Sequence, residues 1–206
     1  MKLREAIGAF GALVDGVRSD HQELRRNHAK FNGRPAEGAS LPRDAVEKIG
    51  FQILVAYRVM RFFVRVDARV PSRIMSRAMR HMYGSDVHWN AEIEPGVMLV
   101  HGMGLAISHG ARIGPRALLF QHCTIGEGRH PDTGDVGAPV IEEDVVVGAG
   151  ATLLGPITIG ARSKIMPGCV VVRSVPPNSI VESPAAVVRA RRPGSQATPK
   201  GREGTQ

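Results

Sequence analysis

Aromatic residues are scarce in this chain, at 4% of 206 positions with one Trp and two Tyr. A core built mainly on ring packing is therefore excluded. Cysteine is nearly absent: Cys123 and Cys169 are the two present. That number cannot make a disulfide framework, and both read as small buried fillers. Long uncharged apolar runs are missing as well. The most apolar stretch, Phe51 to Val66, contains Arg58, Arg61 and Arg65, so it is too short and too charged to span a bilayer. Met1 to Val14 is broken by charges and glycines; no signal peptide is expected, and the chain reads as cytoplasmic. Acidic residues are outnumbered by basic ones, 19 to 27, for a net charge of +8. No recognised nucleic-acid motif accompanies this excess. Attraction for anionic small substrates explains it without a nucleic-acid or membrane partner.

What is abundant is a beat of six. Val87, Ile93 and Leu99 are followed by Ile107, Ile113, Leu119 and Ile125. The series resumes with Ile141, Val147, Leu153, Ile159, Ile165 and Val171. A period of six fits neither a helix nor an alternating strand. It marks a parallel β-helix in which each unit forms one flat side and three units make a triangular coil. Each coil buries its aliphatic residues on the next, so the array is stable only as a stack. The coil is expected from about Ser85 to Val175.

Two steps break the beat. Leu99 to Ile107 is eight residues, which puts two extra residues near His101 and Gly104. Ile125 to Ile141 is sixteen, read as two units plus four residues that bulge out between Gly126 and Pro139. Loops thrown from a rigid scaffold commonly carry function.

Ahead of the coil the pattern is helical. Residues 3–29 are expected to form a helix with a basic outer face, and Asn32 to Pro42 a loop. Arg43 to Val66 is expected as one second helix, with Ile49, Ile53, Val59 and Phe63 at helical spacing. Pro71 permits a new start, continued through Ser72 to Met82 and ended by Gly84. The division is then a helical region over 1–84, a repeat domain over 85–188 and a basic, disordered tail over 189–206.

Chemistry is offered at few positions. His101 lies in Val100-His101-Gly102-Met103-Gly104, where glycines permit close approach. A neutral imidazole there suits proton abstraction from a hydroxyl; a surface histidine at a turn is the plainer alternative. Asp86 falls in the repeat register beside the His101 unit, one coil away. It could fix the imidazole's tautomer or simply cap a turn. His101, His109, His122 and His130 lack a tight paired-ligand spacing, so no metal site is assigned. Gly148, Ala149 and Ala151 could open a groove for a ligand, or simply serve tight corners. Lys164 and Arg162 could meet phosphates.

These residues resemble the serine O-acetyltransferases, among the hexapeptide-repeat acyltransferases. The resemblance covers roughly residues 48–188. It includes Gly50-Phe51-Gln52, Ala56-Tyr57-Arg58 and Asp86-Val87-His88. It also includes Val97 to Gly104, Gly148-Ala149-Gly150-Ala151, Ser163-Lys164-Ile165 and Val175-Pro176-Pro177. It implies a left-handed coil and acetyl transfer from acetyl-CoA, as co-substrate, to the hydroxyl of L-serine or a related small acceptor. A sugar or polysaccharide precursor is the alternative acceptor. It implies His101 as general base, Asp86 as its orienting acid, and Val100 and Gly102 beside the acceptor. Gly148, Ala149, Ala151 and Lys164 match the region that holds CoA. It further implies a homotrimer with sites between subunits, possibly paired trimers, and a place in cysteine biosynthesis.

The departures lie at the acceptor. Family members carry an acid where this chain has Val100, and a second acid falls near Arg34 here. Their Arg-His-Pro falls on Gly137-Ala138-Pro139, while Arg129-His130-Pro131 stands eight residues earlier in the longer loop, reaching the same place or coinciding by chance. The chemistry is expected to be kept and the acceptor pocket changed.

Overall fold

The computed structural model describes residues 3–33, 40–184 and 187. Arg34 and the tail over 189–206 lie outside them. The six-residue beat becomes three ladders of parallel strands running round a coil, the left-handed β-helix that the resemblance implied. On the first side Val87, Ile107, Ile125, Leu153 and Val171 stack in register. On the second stand Ile93, Ile113, Ile141 and Ile159. On the third stand Leu99, Leu119, Val147, Ile165 and Val181. Every one of the thirteen beat positions is buried, each contributing ~1.5–3 kcal/mol of transfer free energy.

Two residues before each beat position stands a second inward residue, commonly small: Ala91, Ala111, Ala117, Ala151, Cys123 and Cys169 are all buried. Thin side chains there let the corner close. Burial pushes the Cys123 thiol up to about 11, so it stays a neutral filler that donates to the Gly148 carbonyl at 3.2 Å.

The long insertion differs from the spacing-based reading. Ile125 lies on the first side and Ile141 on the second, so the sixteen-residue step spans one side, not two. The rest leaves the coil as a hairpin, pairing Gly128–Arg129 with Val136–Gly137.

Among the described residues four helices precede the coil: α1 Leu3–Asn32, α2 Leu41–Glu47, α3 Ile49–Arg65 and α4 Arg69–Tyr83. The single helix expected over 43–66 is broken at Lys48, whose backbone is extended. Gly84 closes α4 in the left-handed conformation, its N–H bonding the Arg80 carbonyl.

Helix α3 is stapled to the first coil by polar side chains. The Tyr57 hydroxyl donates to the Ala91 carbonyl at 2.6 Å and accepts from the Ile93 N–H. Arg58 forks onto both oxygens of Asp20 in α1, at 2.9 and 3.0 Å, and reaches the carbonyls of Ile93 and Glu94. Asp20 also accepts from the Gly96 N–H. The network fixes α1, α3 and the start of the coil as one unit.

Candidate active site

His101 stands just after the third-side strand Met98–Leu99, where the chain turns toward the first side. Its φ is 64°, and Arg116, His122, Asp144, Arg162 and Asn178 share that left-handed conformation. The conformation thus belongs to the coil's turns, and at His101 the ring stands exposed.

The turn is held from three directions. The buried Ser85 hydroxyl donates to the Gly102 carbonyl at 2.7 Å and accepts from the Leu105 N–H at 3.2 Å. The Gly104 N–H reaches the Tyr83 carbonyl. Gly102 lies against the first turn of α3: a Cβ there would come within 2.8 Å of the Gly50 Cα. The His122 ring covers Gly104, and the backbone N–H of His122 donates to the Met103 carbonyl.

Ser85 and Lys48 were not singled out from the sequence; Met103 stood there as a neighbour of His101, and His122 among the histidines weighed for a metal. Ser85 stood next to Asp86, a position the repeat alone leaves unmarked.

A cavity of about 620 Å³ opens beside this turn. Val100, His101, Met98 and Met103 line it from the coil, Lys48 and Gly50 from the start of α3, and Leu24 and His28 from α1. Val100 is half-buried there.

Asp86 is placed differently from the spacing-based register. It opens the first side, paired with Ala106, so it and His101 flank one corner and do not share a side. The two-residue insertion before Ile107 moves the register. Its carboxylate holds Arg80 of α4 at 2.9 Å, and among the described residues no hydrogen bond or ion pair joins it to His101. Next to it, burial and the nearby His109 hold the His88 imidazole below its ordinary range, with Asp86 pulling the other way.

The other expected residues fall into three places. Arg129 and His130 sit in the hairpin, where the Arg129 guanidinium donates to the Gly134 carbonyl and His130 Nδ1 faces the N–H groups of Asp132 and Thr133. Neither lines the His101 cavity within this chain. Asp132 ties the hairpin to the coil through Arg173, at 2.9 Å.

Gly148, Ala149 and Ala151 form the same corner farther along the coil. Gly148 and Ala151 are buried with their backbone groups bonded in the ladder, which leaves the half-exposed Ala149 as the contact open to a ligand. Lys164 is exposed on the third side, at a second cavity of about 490 Å³ shared with Arg26, Arg116, Arg162 and Phe120. Glu23 and Asp144 line it too and pair with Arg26 and Arg116, and Arg162 faces Glu143, which among the described residues leaves Lys164 as the cation to meet a phosphorylated ligand.

Residues 138–173 match the family described as bacterial transferase hexapeptide (six repeats). A serine acetyltransferase of Synechococcus elongatus is 36% identical over 140 residues, 68% of this chain and 57% of its own. One from Bacillus pumilus is 34% identical over 140 residues, 68% of this chain and 64% of its own. The chain thus spans little more than half the length of these relatives. The crystal structure of Neisseria gonorrhoeae serine acetyltransferase in complex with serine is similar at 26% identity and a TM-score of 0.72. That match covers 89% of this chain and 72% of the other.

Proposed function

We infer, for a chain that belongs to the serine O-acetyltransferase family of the hexapeptide-repeat acyltransferases, that it moves an acetyl group from acetyl-CoA to a hydroxyl. The acceptor is L-serine or a related small molecule, and acetyl-CoA is a co-substrate, not a resident cofactor. The observation that carries this reading is an exposed imidazole, His101, on a rigidly held turn at the mouth of a cavity of about 620 Å³.

The chemistry follows from the residues. The neutral His101 imidazole takes the proton of the acceptor hydroxyl as its oxygen forms a bond to the thioester carbonyl carbon. The tetrahedral oxyanion collapses, the carbon–sulfur bond breaks, and the imidazolium returns its proton to the departing CoA sulfur. Asp86 supports the imidazolium once its carboxylate turns from Arg80, with which it forms a half-exposed pair. Ala149 and Lys164 meet CoA, with Gly148 and Ala151 shaping the corner. Val100 and Gly102 face the acceptor, and Arg129 and His130 reach it from a neighbouring subunit.

The assembly proposed is a homotrimer, because a lone coil leaves flat sides and the hairpin residues Arg129 and His130 do not line the His101 cavity of their own chain. Among the described residues no helix is long and apolar enough to cross a membrane, and we place the protein in the cytoplasm.

The test is acetyl-CoA consumption with product identification across L-serine, homoserine and a panel of sugars. An O-acetylated product supports the reading; absence of acceptor-dependent CoA release across the panel contradicts it.

A further inference from the structure

The cavity beside His101 has a chemistry of its own. Its volume, about 620 Å³, lies in the range of sites that enclose drug-sized ligands and leaves room for an acceptor larger than a three-carbon amino acid. The coil side of the cavity carries no charged side chain and is made by Met98, Val100 and Met103 beside His101.

Among the described residues the lining holds one carboxylate, Glu47, and Arg43 already pairs with it at 2.9 Å. An ammonium brought to His101 therefore meets no free counter-charge, and burying one unpaired is costly. The positive side is better supplied. Lys48 lines the cavity where the helix breaks, with no ion pair among the described residues. His28 lines it too, and its Nδ1 is buried without a hydrogen-bond partner. A buried polar atom left unpaired favours a ligand that brings a hydroxyl or other polar group to it.

We infer that the acceptor is a monosaccharide-sized polyol, neutral around the reacting hydroxyl and bearing an anionic group that meets Lys48. The uncharged coil side accepts the neutral carbon frame, His28 Nδ1 takes a second hydroxyl of the acceptor, and Lys48 selects the anion, a carboxylate or a phosphate. This rests on the acetyl-transfer reading above and sets a sugar-type acceptor, the alternative the resemblance left open, in place of L-serine.

The experiment compares kcat/KM for glucuronate, glucose 6-phosphate, glucose and L-serine with acetyl-CoA, in wild type, Lys48→Gln and Val100→Asp. One or both anionic sugars should exceed glucose and L-serine by about tenfold or more, and which one does so separates carboxylate from phosphate. Lys48→Gln should remove that advantage, bringing kcat/KM for the anionic sugar down to that for glucose measured in the same variant. Val100→Asp should lower turnover of the anionic sugar and raise that of L-serine. Lys48 is exposed, so circular dichroism of the variant should match wild type.

L-serine as the best acceptor in wild type overturns the inference while acetyl transfer stands. So does an anionic preference that survives Lys48→Gln. CoA release with none of the four acceptors overturns the inference; with the wider panel also silent, acetyl transfer falls as well.

Discussion

The Ser85 hydroxyl donates to the carbonyl of Gly102, the residue after His101, at 2.7 Å. The same oxygen accepts the Leu105 N–H, so one buried side chain ties both ends of the turn that presents the imidazole. Removing the hydroxyl in Ser85→Ala leaves two buried backbone groups unpaired, a cost of about 1–3 kcal/mol for such a group. The expected outcome is a lower thermal midpoint and a kcat reduced several-fold, with CoA affinity kept, because the Ala149 corner is untouched. Ser85→Thr, which retains the hydroxyl, should recover much of the kcat. Equal losses of kcat and CoA affinity would show that Ser85 serves the fold and not the turn.

The Arg58–Asp20 pair predicts a stability effect remote from chemistry. Asp20 is fully enclosed and Arg58 nearly so. Arg58→Met strands a buried carboxylate, and breaking such a pair costs about 3–5 kcal/mol. Asp20→Asn combined with Arg58→Met should lose less than Arg58→Met alone, since no charge is left unmatched. Denaturant midpoints of Asp20→Asn alone, Arg58→Met alone and the double variant measure this, and a double variant as unstable as the sum of the two singles would refute the coupling.

A pH dependence follows from the ladder of turns. The Arg116 guanidinium, bonded to Asp144 at 2.9 and 2.7 Å, holds its carboxyl below the ordinary 3.8. A depressed carboxyl stabilises the fold above its unfolded value, and that contribution is lost as pH falls through the folded one. Wild type should exceed Asp144→Asn by about 0.2–1 kcal/mol near neutrality. The gap should shrink as pH drops below 3.8. Asn tolerates the left-handed backbone found at position 144, so the substitution isolates the charge. Thermal melts across pH check it; a gap that widens on acidification would reverse the assignment.

The coil was legible because its constraint is one-dimensional. Each beat residue must be aliphatic to stack on the one below, and all thirteen proved buried. The insertions were legible as breaks, but not their placement: spacing cannot tell one side plus a hairpin from two sides plus a bulge. Only the pairing of Ile141 with Ile113 decides. The break at Lys48 carried no Gly or Pro signal. The register of Asp86 with His101 failed for two reasons. The insertion before Ile107 moves the first side, and Arg80 reaches Asp86 from α4, a contact no local spacing encodes. The departure at Val100 was visible in sequence; the cavity it lines, with Lys48 and His28, required the fold.

Asp86 offers a graded test of the imidazole's support. Asp86→Asn keeps the shape and removes the charge, so it should lower kcat by less than loss of His101 does. Arg80→Ala frees the carboxylate from its present partner and should leave kcat at or above wild type. A fall in kcat with Arg80→Ala matching that of Asp86→Asn would show that the ion pair, not the carboxylate's turn toward His101, is what the site uses.

The most direct measurement is the single-turnover rate of acetyl transfer in His101→Ala, with CoA binding measured alongside by calorimetry. A positioned general base contributes about 10²–10⁴ in rate. The account predicts a loss of that size with CoA affinity unchanged, because His101 and the Ala149 corner occupy different coils. Transfer at near wild-type rate in His101→Ala would contradict it.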